Sequence, residues 1–99
     1  MENTLDAVEA ASNLTCVLMD NERVRVLEAT FQPGDRAAMH SHPDHVVYVI
    51  RGGRATITTE GKTETQEFNA GDAIFLKAQS HEVQNIGDTV IDLIVVELK

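Results

Sequence analysis

Residues 34–52 read GDRAAMHSHPDHVVYVIRG, and this stretch places three histidines, His40, His42 and His45, close together in the chain. Side chains at positions i and i+2 of a β-strand point to the same face. His40 and His42 can therefore present two imidazoles on one side of a strand, about 6–7 Å apart. Neutral imidazole is a good ligand for Zn, Fe, Ni and Cu. The stretch predicts a metal site that is built on β-strands.

On both sides of this stretch the chain consists of short β-favouring runs that are separated by turn residues. Val, Ile, Leu and Thr are frequent in the runs, and Gly, Pro, Asn and Asp recur between them. The predicted strands are Leu14–Met19, Arg23–Gln32, Arg36–Ser41, His45–Ile50, Arg54–Thr59, Thr63–Phe68, Ala73–Leu76, His81–Ile86 and Val90–Leu98. Many short strands in a chain of 99 residues predict a single all-β domain, a sandwich or barrel.

The beginning of the chain differs from the rest in composition. Residues 3–12 are rich in Ala, Asp and Glu, which indicates a short helix or a loose arm. We therefore expect an N-terminal arm or short helix over residues 1–13 and the β domain over residues 14–99.

Charge and composition indicate the kind of partner. The chain has sixteen acidic and eight basic side chains, a formal net charge of −8. A negative surface repels phosphates, so we expect neither nucleic acid nor a membrane as a partner. The sequence has no long apolar segment and no secretory signal, and Cys16 is its single cysteine, so we expect a cytoplasmic protein. A small core gains from a shared sheet, so we expect a homodimer that pairs through Leu14–Met19 or the last strand.

The spacing of glycines and histidines resembles the two motifs of the cupin superfamily, over Leu14 to Lys99. The residues that carry the resemblance are Gly34, His40, His42 and Gly52 for the first motif, and Gly71, His81 and Asn85 for the second. The resemblance implies a jelly-roll fold. It also implies a divalent metal ion (Fe, Zn, Ni or Mn) bound by two His and a Glu of the first motif and the His of the second. A narrower likeness, in residues 42–49 and 95–99, is to short bacterial cupins connected with β-alanine degradation.

The sequence departs from the cupin pattern at the fourth ligand. His45 stands where cupins usually have Glu, and we interpret it as the fourth ligand beside His40, His42 and His81. Asp44 reaching the metal, or a site of three His, are the alternatives. The loop before the second-motif histidine also differs, since Lys77 and Gln79 replace the usual Pro and Gly and one residue is missing.

The ligand set has chemical consequences. Four neutral imidazoles leave the full +2 charge on the ion, so we expect a small, anionic, carboxylate-bearing ligand. Because an imidazole must be neutral to bind, metal affinity should weaken below about pH 6.5. Asn85 is expected to bond a turn. Candidate anchors for a carboxylate are Arg25, Arg36, Arg51 and Arg54, and candidate pocket-lining residues are Val47, Val49 and Phe75.

The resemblance leaves the function open between two classes, because cupins include dioxygenases, isomerases, decarboxylases, lyases and plain binding proteins. The first is a metalloenzyme that acts on a small acid, dioxygenase-like or using another metal-assisted reaction. The second is a non-catalytic binding or sensor module for a small molecule. The sequence shows no nucleophile–base arrangement of the Ser/His/Asp type, and no catalytic residue is identified apart from the metal ligands.

Overall fold

The computed structural model of this protein describes residues 5–6, 11 and 13–99. Ten β-strands and no helix occur in these residues, so none of them forms a helix able to cross a membrane. Two five-stranded sheets result, in the orders β1-β4-β9-β6-β7 and β2-β3-β10-β5-β8. The predicted all-β jelly roll is confirmed. The strands are β1 (Leu5–Asp6), β2 (Thr15–Asp20), β3 (Val24–Phe31), β4 (Arg36–His42), β5 (His45–Arg51), β6 (Gly53–Thr59), β7 (Lys62–Phe68), β8 (Ala73–Leu76), β9 (Gln79–Asn85) and β10 (Ile91–Leu98).

The core lies between the two sheets because the strands alternate apolar and polar side chains. β10 buries Ile91, Leu93 and Val95 in the second sheet. Ala37, Ala55 and Val83 of the first sheet belong to the same core cluster. Full burial of each Val, Leu or Ile side chain contributes about 1.5–3 kcal/mol. These residues hold the sheets face to face and fix the strands that carry the histidines.

The chain crosses from one sheet to the other between His42 and His45. β4 ends at His42 in the first sheet, and β5 begins at His45 in the second. Pro43 and Asp44 make the connection, and Pro43 cannot continue the ladder of β4 because it has no N–H to donate. Histidines from both sheets therefore face the same interior.

β4 pairs antiparallel with β9, and this pairing places His40 directly opposite His81. The register between the two strands shifts between Ala37 and His40. Such irregularities re-aim side chains and are common near functional sites. β9 begins at Gln79 and not at the predicted His81, because Gln79 already pairs with His42 across the sheet.

Two glycines are required by close or unusual backbone geometry. The hairpin between β6 and β7 turns at Glu60 and Gly61, with φ angles of 48° and 78°. Positive φ at both central residues is the requirement of a type I′ turn, which favours Gly. At Gly52 a Cβ atom would lie 2.1 Å from the backbone oxygen of Phe68. This explains why the first motif ends in a glycine.

The predicted N-terminal arm or helix over residues 1–13 lies mostly outside the described residues. Within it, Leu5–Asp6 form β1, which pairs in parallel with β4 at His40 and Ser41. Ala11 is buried in the core. These residues bring the start of the chain to the strand that carries two of the histidines.

Candidate metal centre

Four buried histidines lie together between the sheets. His40 and His42 come from β4, His81 from β9 and His45 from β5, and each is at most 8% exposed. The ring of His42 is central, with centroid distances of 4.9, 4.6 and 5.2 Å to the rings of His40, His45 and His81. The structure thus brings all four predicted site residues into one cluster.

Three of these histidines form the tightest group. One ligand nitrogen from each of His40, His42 and His81 lies within 4.8 Å of the other two. Nitrogens bound to one ion at about 2.0–2.1 Å lie at most about 4.2 Å apart, so a small contraction would close the site. His45 lies beside this group, with its ring 4.6 Å from that of His42 but 6.3 Å from that of His81. The geometry therefore shows three histidines that could hold a metal ion, with a fourth in contact.

Backbone carbonyls orient two of the rings. The Nδ1 atom of His40 lies 2.6 Å from the oxygen of Ala38, and that of His45 lies 2.7 Å from the oxygen of Pro43. A carbonyl oxygen only accepts, so in each case Nδ1 carries the proton and donates it. In the neutral ring the lone pair is then on Nε2, which is the atom left for a metal.

Gln79 orients the His81 ring in the same way. Its Oε1 atom accepts a hydrogen bond of 2.9 Å from Nδ1 of His81, while its Nε2 atom donates to the oxygen of Lys77 at 3.2 Å. The second bond fixes which end of the amide faces the imidazole. This role of Gln79 was not predicted from the sequence. The available signal was the i, i+2 spacing of Gln79 and His81, which puts both on one face of a strand.

Glu97 holds the fourth ring and was also missed. The Nδ1 atom of His42 donates to Oε2 of Glu97 at 2.5 Å. Oε1 of the same carboxylate accepts from Nε of Arg25 at 2.8 Å, and the Arg25 guanidinium also pairs with Asp6 at 2.5 Å. The Glu97 side chain is 3% exposed. In the antiparallel pairing of β5 with β10, Glu97 is the residue opposite His45. Metal-binding histidines commonly donate their second N–H to such a carboxylate.

Burial favours the neutral form of three of the rings, those of His40, His45 and His81. It lowers the pKa values of His40 and His45, in each case as the largest effect. For His81, burial is the largest effect, and the repulsion that its protonated form would meet from protonated neighbouring histidines adds to it, so that the pKa is lowered to about 3. Neutral imidazole is the form that binds metal. Proton competition at these rings therefore begins at a lower pH than the value of about 6.5 that free imidazole predicts.

Glu97 stays ionised despite its burial. Burial by itself would raise its pKa, but the hydrogen bonds from His42 and Arg25 outweigh that effect and lower the pKa below its ordinary value. A negative charge is therefore held next to His42 at neutral pH.

The histidines line an apolar cavity of about 140 Å³ between the sheets. Val47 lines it as predicted, but Val49 is packed in the core away from the cavity, and Phe75 is 56% exposed. The prediction that Phe75 lines the pocket is wrong. Its neighbours Ile74 and Leu76, which point to the other face of β8, line the cavity instead.

None of the four candidate arginine anchors lines the cavity. Arg25 binds Glu97 and Asp6, as described above. Each of the others lies near a carboxylate of this chain: Arg36 with Glu82, Arg51 with Asp92 and Arg54 with Glu67, at 2.5, 3.7 and 3.5 Å. The idea that one of them anchors a ligand carboxylate is not supported by this geometry.

Asp44, the alternative fourth ligand, does not line the cavity. Its Oδ1 atom accepts a 2.8 Å hydrogen bond from the backbone N–H of Ala78 and so stabilises the loop before β9. The carboxylate is therefore used to shape the loop in which the sequence departs from the second cupin motif.

Asn85 is structural, as predicted. Its Nδ2 atom donates to the backbone oxygens of Phe31 and Thr89, at 3.1 and 2.8 Å, and its Oδ1 atom accepts from the N–H of Gly87. These bonds tie the turn after β9 to the end of β3.

Comparison with known proteins agrees with this fold. The family model described as the cupin domain matches residues 27–97. None of the curated proteins matches the chain. Among solved structures, a cupin domain from Bordetella pertussis Tohama I is 28% identical, with a TM-score of 0.82 over 100% of this chain and 99% of that chain.

Two further structures share the fold at lower identity. An RmlC-like cupin with a double-stranded β-helix from Methanocaldococcus jannaschii is 21% identical, with a TM-score of 0.70 over 86% of this chain and 78% of that one. A predicted oxalate decarboxylase from Thermotoga maritima is 23% identical, with a TM-score of 0.62 over 86% and 79%. The family model spans the histidine stretch and the second motif, and the chain belongs to the cupin family.

Proposed function

We propose that this cupin binds one divalent metal ion, Fe, Zn, Ni or Mn, through His40, His42 and His81, with His45 as the fourth ligand. The observation that supports this most strongly is the orientation of the rings. The Nδ1 atom of each of the four histidines has an acceptor, so the neutral form of each ring keeps its lone pair on Nε2. Four buried imidazoles that each keep a lone pair on Nε2 form a ligand set for a metal ion.

The bound ion would take a small anionic ligand. Four protein ligands leave open positions on an ion that accepts five or six, so a carboxylate or enolate oxygen can reach it. When bound, the ion would supply a Lewis acid and, if it is redox-active, chemistry with O₂. The chain's own residues would hold the ion, exclude water and surround the ligand.

Metal-assisted catalysis on a small acid is the function that we favour. Among the described residues that line the cavity, no acid or base other than the histidines is present. The reaction would therefore take place at the ion and not through general acid–base catalysis by the protein. The lack of another acid or base among these lining residues is also compatible with the second candidate function, a non-catalytic binding or sensor module. Turnover of a bound acid by the iron-loaded protein, with O₂ uptake, would favour the enzyme.

The decisive experiment is elemental analysis of protein that is purified without a metal-affinity tag and then reconstituted. We expect one equivalent of metal in the wild type and a near-complete loss in the double variant His40→Ala/His42→Ala. The matched control is Met39→Ala/Ser41→Ala, because these residues alternate with the two histidines on β4. Only trace metal in the reconstituted wild type would overturn the proposal.

The role of His45 needs a test of its own. His45→Phe replaces the imidazole by a ring without nitrogen, and we expect the protein still to bind one ion, but with lower affinity. The same change at His81 should abolish binding, because His81 belongs to the tightest group. Unchanged affinity in His45→Phe would show that three histidines suffice.

A further inference from the structure

The cavity beside the histidines has no cation in its wall. All eight Lys and Arg side chains of the sequence lie in the part of the chain that the structure describes, and none of them lines the cavity. Among the described residues no Asp or Glu lines it either, and its polar side chains other than the imidazoles are those of Thr15 and Gln66. A ligand in the cavity therefore meets no fixed counter-charge from the protein.

The rest of the wall is apolar and the space is small. Leu27, Phe31, Ile57, Phe68 and Leu93 are among the lining residues. The volume of about 140 Å³ is close to that of an apolar cavity of ~150 Å³ that admits benzene. A hydrocarbon group of about six carbon atoms would fit without displacing the sheets.

We infer that the ligand is a small monoanion with an apolar body. One carboxylate or enolate group faces the histidine cluster, and a hydrocarbon part occupies the cavity. The inference rests on the proposed function, since the ion held by the histidines is the cation that pairs with this head group. A second carboxylate would be buried without a counter-ion, which is strongly unfavourable. The cavity therefore discriminates against dicarboxylates.

The test compares three ligands with five-carbon chains, pentanoate, glutarate and the neutral pentanamide, by calorimetric titration of the nickel-loaded protein. We expect pentanoate to bind at least about tenfold more tightly than glutarate, although glutarate has the greater charge. Equal affinity, or a preference for glutarate, would overturn the inference and leave the proposed function standing. Pentanamide binding as tightly as pentanoate would contradict the anionic ligand itself. Failure to take up nickel or any of the other proposed ions would contradict the metal site.

A variant tests the cause of the discrimination. Gln66 is exposed and lines the cavity from β7, so Gln66→Arg adds a cation to the wall without disturbing the core. We expect this variant to bind glutarate at least about tenfold more tightly than the wild type, with a smaller change for pentanoate. The control is Thr65→Arg, which adds the same charge at the adjacent position of β7. An equal gain in both variants, or no gain in Gln66→Arg, would overturn the inference.

Discussion

Glu97 changes the electrostatics that the histidines alone would create. Four neutral imidazoles would leave a bound ion with its full charge of +2. Glu97 lies directly opposite His45, and its carboxylate accepts a hydrogen bond from His42. Arg25 pairs with both this carboxylate and that of Asp6. These three side chains carry a net charge of −1. Cupins usually place a carboxylate on the metal; here a carboxylate lies one hydrogen bond further out, in contact with the proposed ligand His42.

A single substitution tests this role. Glu97→Gln keeps the size of the side chain but removes its charge, and we expect metal affinity to fall by about 10–100-fold. The matched control is Asp92→Asn, which removes another buried carboxylate of β10 that accepts a hydrogen bond from Thr30. Dissociation constants from competition with a chromophoric chelator provide the measurement. An equal loss of affinity in both variants would point to general destabilisation of β10.

At the scale of elements, the turn of the β6–β7 hairpin consists of two adjacent residues, Glu60 and Gly61, that both adopt a positive φ angle. A glycine adopts this conformation more readily than a glutamate does. Gly61 has no Cβ atom and adopts the positive φ angle without strain, whereas Glu60 adopts it at a cost in conformational free energy. Asn-Gly is the preferred pair for this turn. Substitutions at Glu60 and at Gly61 should therefore change the free energy of unfolding in opposite directions.

We expect Glu60→Asn to stabilise the protein by roughly 0.5–1 kcal/mol, and Gly61→Ala to destabilise it by about 1–2 kcal/mol. Urea denaturation followed by circular dichroism gives both free energies of unfolding. If the two variants shifted stability in the same direction, the type I′ assignment would be wrong.

The edge strand β2 carries exposed apolar side chains. Val17, Leu18 and Met19 are 43%, 52% and 48% exposed. Their strand pairs with β3 on one side and, among the residues that the structure describes, with no strand on the other. An apolar edge strand is a ready template for pairing with a second chain. We therefore place the expected homodimer at β2. The other predicted pairing element, the last strand, is ruled out because β10 is already paired with β3 and β5.

A change of oligomeric state would test this expectation. Leu18→Glu should convert the dimer to a monomer, because pairing of two edges would bring two like charges into the interface. Phe75→Glu is the matched control, since Phe75 is equally exposed on β8 at the opposite edge of the same sheet. Sedimentation velocity gives the mass of each variant. A monomeric wild type would remove the basis for the dimer.

At the scale of the whole molecule, the two sheets close over the histidine cluster, and the resulting burial lowers the pKa of His81. The pKa of His81 is about 3 in the folded protein, against an ordinary value of 6.5. Between these values the unfolded chain binds a proton that the folded chain does not, so lowering the pH favours unfolding. The lowered pKa of Glu97 adds to this loss of stability at still lower pH, below its ordinary value of 4.5.

The free energy of unfolding of the metal-free protein should therefore fall as the pH is lowered from about 6.5 towards 4. Urea denaturation in EDTA across this range gives the slope, and His81→Gln should reduce it because that variant has lost the titrating group. A slope unaffected by the substitution would mean that the other buried groups dominate.

The sequence by itself determined the strand pattern and the meeting of His40 with His42, because both depend on the local two-residue period of β-strands. The spacing of the cupin motifs identified His81 as a further member of the site. All but one of the described strands were predicted with both ends within two residues of those observed. β1 was missed, since a two-residue strand has no periodicity. Only the tertiary structure decided that Glu97 lies beside His42, because the two are 55 positions apart in the chain and meet only when the sheets close. The same closure placed Phe75 outside, paired the arginines with carboxylates and left the cavity without a cation. These outcomes depend on strand register and on packing between sheets, which a single strand's pattern does not contain.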